Sequence, residues 1–150
     1  MTVTITEEAV DAPESVELVD EFEHEMQVRY GSGGEPMHPI SEMDLVAFLV
    51  ARVDGRAAGC VALRRHDREL AEVKRMYVRQ GFRRLGLGAA LLRQLVEVAR
   101  DSGFQVLRLE TGLAQPEAIA MYESEGWQPI TGFGQYATSG SQRAYELALG

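Results

Sequence analysis

The chain has 150 residues, 45% hydrophobic and 25% charged, with a formal net charge of −8, which predicts one soluble single-core domain spanning 1–150 and argues against global disorder. An acidic pI of about 4.9 disfavours a nucleic-acid binder, whose footprint is usually basic; the single cysteine, Cys60, excludes an internal disulfide framework and a multi-cysteine zinc site. No apolar run approaches the ~20 residues of a membrane span and no basic-then-apolar leader stands at the N-terminus, so a cytoplasmic protein is expected.

Residues 2–6 alternate threonine with β-branched apolar residues and predict a first strand. From Asp11 to Tyr30, the residues Val16, Val19, Phe22, Met26 and Tyr30 recur at helical spacing. Pro13 and Glu14 suit a first helical turn. The stretch 31–41, rich in glycine and proline and carrying His38, predicts a loop with at most one helical turn. Leu45–Val53 is an apolar strand ended by Asp54-Gly55, a strong hairpin signal. Ala57–Arg65 is the return strand, Asp67 and Arg68 mark the next turn, and Leu70–Val78 is a further strand.

A long helix is predicted from Arg84 to Ser102, with Leu87, Leu91, Leu92, Leu95, Val98 and Ala99 as its apolar stripe and Gly103 as its stop. Phe104–Glu110 reads as a strand, Gln115–Glu125 as a short helix, and Trp127–Ile130 as a short strand. The segment 132–141 reads as a loop, and Ala144–Leu149 as a closing strand. Three antiparallel strands, a βαβ crossover and a final hairpin make an α+β fold, a mixed sheet with helices on both faces.

Chemistry concentrates between Val78 and Leu92. Gly86 and Gly88 bring no Cβ to the start of a helix whose first amides lack intrachain partners. The helix dipole and the charges of Arg83 and Arg84 favour an anion there, so the segment predicts a pyrophosphate cradle. It is not a P-loop, because Gly88 is followed by Ala89 and Ala90. It is not a dinucleotide fingerprint either: Leu91 stands where a small residue is needed, and the preceding strands are antiparallel.

The chain resembles the GNAT superfamily of acetyl-CoA-dependent N-acetyltransferases from Leu45 to its end. Val78, Arg83, Gly86 and Gly88, with Leu87, Leu91 and Leu92 in the apolar places, match the first signature of that family. Tyr122, Gly126 and Trp127 match the second. Three positions depart from the family pattern: Gln80 stands where proline is common, Arg84 where glycine is common, and Gln115 where asparagine is common.

The resemblance implies acetyl-CoA as acyl donor, no metal, and a coenzyme lying where the strands 70–78 and 104–110 splay apart. Met76, Tyr77 and Val78 would offer backbone groups to the pantetheine arm, with the side chains of Met76 and Val78 in the core. Arg83, Arg84, Leu85, Gly86, Leu87, Gly88 and Ala89 would hold the pyrophosphate, and Gln115 would reach the pantetheine. Tyr122 would protonate the departing thiolate, a task suited to a phenol. Glu72 is the candidate general base, Glu110 its competitor, and water the third possibility.

His24 and His38 are weaker base candidates, and His66 reads as part of a turn. Cys60 reads as a small buried residue, and Trp127 as core. The acceptor is expected to be a small-molecule amine flanked by the loops 31–41 and 132–141, the latter with Phe133, Tyr136 and Ser139. A non-catalytic acyl-CoA-sensing domain and a protein acetyltransferase acting on lysines or N-termini are the rival readings, and a homodimer is open.

Overall fold

The computed structural model describes residues 1–31, 37–112, 115–131 and 142–150. Strand β1 (Val3–Glu7) leads into helix α1 (Pro13–Tyr30). Strands β2 (Leu45–Val53), β3 (Arg56–Arg65) and β4 (Leu70–Val78) follow. Then come α2 (Leu87–Asp101), β5 (Val106–Gly112), α3 (Pro116–Ser124), β6 (Gln128–Ile130) and β7 (Gln142–Ala148). Single 3₁₀ turns lie at Ile40–Glu42 and Gln80–Phe82.

Among the described residues, seven strands form one mixed sheet in the order β1-β2-β3-β4-β5-β7-β6. Among these neighbours only β4 and β5 run parallel. The expected final hairpin exists, since β6 pairs antiparallel with β7, but β7 also slots between β5 and β6. Two features explain the insertion. The β5–β7 register runs from Val106↔Ala148 to Gly112↔Gln142, while β6 contributes three residues. Pro129 lies in β6, and a residue without N–H belongs on an edge strand.

A larger core joins α2, α3 and one face of the sheet around Leu63, Leu91, Leu95, Leu107 and Tyr145. A smaller one, with Leu18, Val50, Cys60 and Tyr77, lies under α1 on the other face. The stripe of α1 differs from the expected one. Ser15, Leu18, Val19 and Met26 are buried, whereas Val16 is 44% exposed. Ser15 keeps the 3.6-residue period that apolar residues alone misplace.

Carboxylates on α1 also grip the sheet and the segment that follows β4. Glu14 pairs with Arg52 (3.0 Å), Glu23 with Arg75 (3.1 Å), Glu21 with Arg79 (2.7 Å) and Glu25 with Arg83 (2.7 Å). No helix among the described residues is long and apolar enough to cross a membrane.

Two irregularities open the sheet. The β4–β5 pairing runs only through Leu70↔Val106, Ala71↔Leu107 and Glu72↔Arg108, and the strands separate beyond it. In β4 the register with β3 steps from Ala62↔Lys74 to Cys60↔Tyr77, so Arg75 and Met76 together face Val61. Arg75 takes φ 54° to make this bulge, and a bulge bends its strand.

Candidate active site

Backbone groups line the wedge between β4 and β5. Arg79 N donates to Ala58 O at 2.8 Å, and antiparallel ladders alternate hydrogen-bonded with non-hydrogen-bonded pairs. The next pair, Gly59↔Val78, is therefore of the second kind, and the N–H and C=O of Val78 turn away from β3 toward β5. By the same alternation, starting from Leu149 N to Gln105 O at 2.9 Å, the main-chain groups of Glu110 and Gly112 turn away from β7 toward β4. Met76 lies in the bulge, its side chain half-buried against the larger core. The Tyr77 side chain points the other way. Its hydroxyl donates to Glu21 at 3.2 Å, its ring meets Phe22 edge-on, and burial pushes its phenol up to about 12.

The wedge ends beside the start of α2. The expected helix begins at Leu87 and not at Arg84, because Arg84 (φ 70°) and Gly86 (φ 77°) both take left-handed backbone, which a helix cannot continue through. Gly86 is the N-cap and supplies no side-chain cap, and the first turn holds no acid. Ala90 N is the first amide to reach a helix carbonyl, that of Gly86, at 3.1 Å. The amides of Leu87, Gly88 and Ala89 are thus left at the open end.

Arg84, Leu85 and Gly86 are exposed around them, and Leu87 is buried as the helix anchor. Arg83 is engaged elsewhere. Its Nε donates to Val78 O at 2.8 Å and its Nη2 to Glu25 at 2.7 Å. A Cβ on Gly88 would stand 3.0 Å from Met121 Sδ, so α3 passes close to the cradle.

Tyr122 follows Met121 on α3 and is buried. Its ring centroid lies 6.0 Å from that of Trp127 and 6.2 Å from that of Tyr145. Burial alone raises the pKa of its phenol, so the hydroxyl keeps its proton at neutral and mildly alkaline pH.

On the α1 face of the sheet, Glu72 is 3% exposed and held by three basic side chains. His66 Nε2 lies at 2.6 Å, Lys74 Nζ at 3.4 Å and Arg64 Nη1 at 4.0 Å. Its neighbour across β5, Arg108, pairs with Glu146 at 2.9 Å. Glu110 lies two residues further along β5, past the last β4–β5 pair, with its Oε2 buried.

The structure thus brings Val78 beside the start of α2, packs Tyr122 in the core next to Met121, which passes Gly88, and puts Glu72 at the last β4–β5 pair. His24 is exposed on α1. His38 contributes a carbonyl to Arg75 Nη2 at 2.6 Å. Cys60 is fully buried, its thiol pushed up to about 12 by burial and donating to Arg75 O at 3.4 Å, so it is no nucleophile at neutral pH. Trp127 is core. Phe133, Tyr136 and Ser139 lie outside the described residues.

The pattern that defines the Acetyltransferase (GNAT) family matches residues 10–127. The chain belongs to that family. It is an acyltransferase dependent on acetyl-CoA. An IAA acetyltransferase of Azospirillum brasilense is 34% identical over 140 residues, covering 89% of this chain and 90% of the relative. A solved acyl-CoA N-acyltransferase from Klebsiella pneumoniae is 30% identical with a TM-score of 0.83, covering 98% of this chain and 97% of that one. The PaiA N-acetyltransferase of Thermoplasma acidophilum, solved with coenzyme A, is 18% identical with a TM-score of 0.74 and coverage of 99% on both sides, a likeness of fold.

Two groups were missed in the sequence. His66, read as a turn residue, places its ring on Glu72; a histidine six residues before an acid across a hairpin carries that signal only once the β3–β4 register is known. Tyr30, read as the end of an apolar stripe, sends its hydroxyl to Gln115 at 3.2 Å, and no local pattern announces a contact 85 residues apart.

Proposed function

We propose that this acetyltransferase moves an acetyl group from acetyl-CoA to a primary amine of a small molecule, by direct attack in a ternary complex. The observation that carries this reading is the continuity of the open β4 edge with the uncapped amides of α2. An extended amide-bearing chain can pair with the edge, and a pyrophosphate at its far end meets the amides of Leu87, Gly88 and Ala89. Arg84, exposed at the mouth, adds a full positive charge. Arg83 acts on the protein side, holding Val78 O and tying the cradle loop to α1.

The N–H of Val78 turns into the wedge and can polarise the thioester carbonyl as its oxygen gains charge. Glu72, with His66 beside it, takes a proton from the acceptor ammonium, directly or through water. A neutral nitrogen is the form that attacks. As the C–N bond forms and the C–S bond breaks, the electron pair leaves on sulfur and Tyr122 gives it the phenolic proton. Solvent then returns the proton shed by the amine to the phenolate. No cysteine is positioned for an acyl-enzyme, since Cys60 is buried and hydrogen-bonded to the bulge.

The test is coenzyme A release on a panel of small amines and peptides, with the parent and Tyr122→Phe. The substitution keeps the ring and removes only the hydroxyl, so packing changes little. The expected result is turnover on a small amine and a loss in kcat of roughly 10²–10⁴ in the variant, with the affinity for acetyl-CoA retained. Acetyl-CoA binding with no release on any acceptor would favour a sensing domain, and release on peptides alone would overturn the small-molecule acceptor.

A further inference from the structure

Gly112 closes β5 at the wide end of the wedge. Its N–H, turned from β7, donates to Gln115 Oε1 at 3.1 Å, and its carbonyl accepts Gln115 N at 3.0 Å. Gln115 therefore satisfies both groups as a neighbouring strand residue would. The same Oε1 accepts the Tyr30 hydroxyl at 3.2 Å, with the Thr111 hydroxyl further off at 3.4 Å. A carbonyl oxygen has two lone pairs, so the two shorter contacts set the geometry.

Tyr30 is the last residue of α1, and its hydroxyl occupies the space that a Cβ on Gly112 would need. Beside it, Arg29 pairs with Glu117 in the first turn of α3. The end of α1 is thus fastened to the start of α3 across the open end of β5. Helix α3 carries Met121, against the cradle glycine, and Tyr122.

We propose that Gln115 and Tyr30 form a positioning latch, in which the Gln115 side chain serves as a hydrogen-bond acceptor that seats α3 and so sets the Tyr122 hydroxyl against the leaving sulfur. This rests on the acetyl-transfer reading above. The latch leaves Glu110 as the last residue of β5 whose main-chain groups face the wedge uncapped by Gln115. It also assigns Gln115 a role in which its oxygen matters and its amide hydrogens do not, opposite to a residue that donates to the coenzyme.

Gln115→Glu keeps the acceptor and removes the donor, whereas Gln115→Ala removes both. In the free protein, hydrogen exchange at the Gly112 amide is expected to stay protected in Gln115→Glu and to speed up by about tenfold or more in Gln115→Ala. In kinetics, Gln115→Glu is expected within about threefold of the parent. Gln115→Ala should lose roughly 10- to 100-fold in kcat, with KM for acetyl-CoA little changed, because a displacement on the order of 1 Å at the acid is enough. Tyr30→Phe, which cannot unfold the site by truncation, should lose kcat in the same sense.

Equal impairment of Gln115→Glu and Gln115→Ala with a raised KM would overturn the latch and make Gln115 a donor to the coenzyme. A Tyr30→Phe variant with parental kcat, or a Gly112 amide that exchanges alike in all variants, would overturn it as well. Failure of the parent to release coenzyme A would instead overturn the acetyl-transfer reading, while the exchange measurement still decides whether the latch exists.

Discussion

Arg84 is where stability and binding pull apart. It takes φ 70°, a left-handed conformation that sets Cβ against the following carbonyl at a cost of about 1–2 kcal/mol. Glycine removes that strain but gives back about 0.4–1 kcal/mol through its freer unfolded chain. Arg84→Gly is therefore expected to stabilise the protein by about 0.5–1 kcal/mol, a rise in Tm of roughly 1–4 °C for a domain of this size.

The same change removes an exposed cation beside the amides of Leu87, Gly88 and Ala89. One charge a few ångströms from a phosphate in a water-like medium contributes about 1 kcal/mol, so acetyl-CoA should bind roughly three- to tenfold more weakly. Salt should shrink that deficit, because the group is solvent-exposed. The assay pairs thermal unfolding with titration calorimetry at low and high ionic strength, and uses Arg84→Lys as the variant that keeps both charge and strain. A less stable glycine variant would refute the strain argument. Unchanged affinity at low salt, with Arg84→Lys also unchanged, would refute the electrostatic one.

Ser15 is fully buried with its Oγ unpartnered, so Ser15→Ala should stabilise by about 1 kcal/mol, and a lower Tm would contradict this. On the acid side, Glu21 is held below its ordinary pKa of 4.5, first by hydrogen bonds from Arg79, and Glu8 likewise by Arg52. A depressed folded-state pKa contributes stability that is present above 4.5 and lost as pH falls through the folded value. With the Glu21 side chain 40% exposed, Glu21→Gln should cost only about 0.5–1 kcal/mol at pH 7. The gap in Tm from the parent should narrow as pH falls below 4.5 and through the lowered folded-state value; a gap independent of pH would show that the pair contributes nothing through ionisation.

Much of the scaffold was legible because its signals are local. Asp54-Gly55 announced the β2–β3 hairpin, and β2 and β4 fall on the expected bounds, Leu45–Val53 and Leu70–Val78. The glycine-rich turn into α2 was legible from Gly86 and Gly88, but its register was not. The expected helix start at Arg84 assumed right-handed backbone through a segment that turns left-handed twice. The insertion of β7 beside β5 depends on competition between long-range pairings, which no window of sequence contains. The partners of Arg83 and Gln115 were illegible for the same reason. An arginine and a glutamine near a glycine-rich helix start suggest ligand contacts, yet α1 supplies Glu25 to one and Tyr30 to the other. Residue type was readable, whereas the question of which neighbour satisfies it waits on tertiary structure.

The most direct test of the account is titration calorimetry of acetyl-CoA into the folded protein, with Gly86→Val alongside. One site per chain is expected on the parent. Loss of that site is expected in a variant that stays folded, because the added side chain would stand in open space where the pyrophosphate must meet the α2 amides, and would force β-branched bulk into φ 77°. Binding to the parent and the variant with equal affinity, or no binding to the parent at all, would contradict the assignment of the wedge and its cradle.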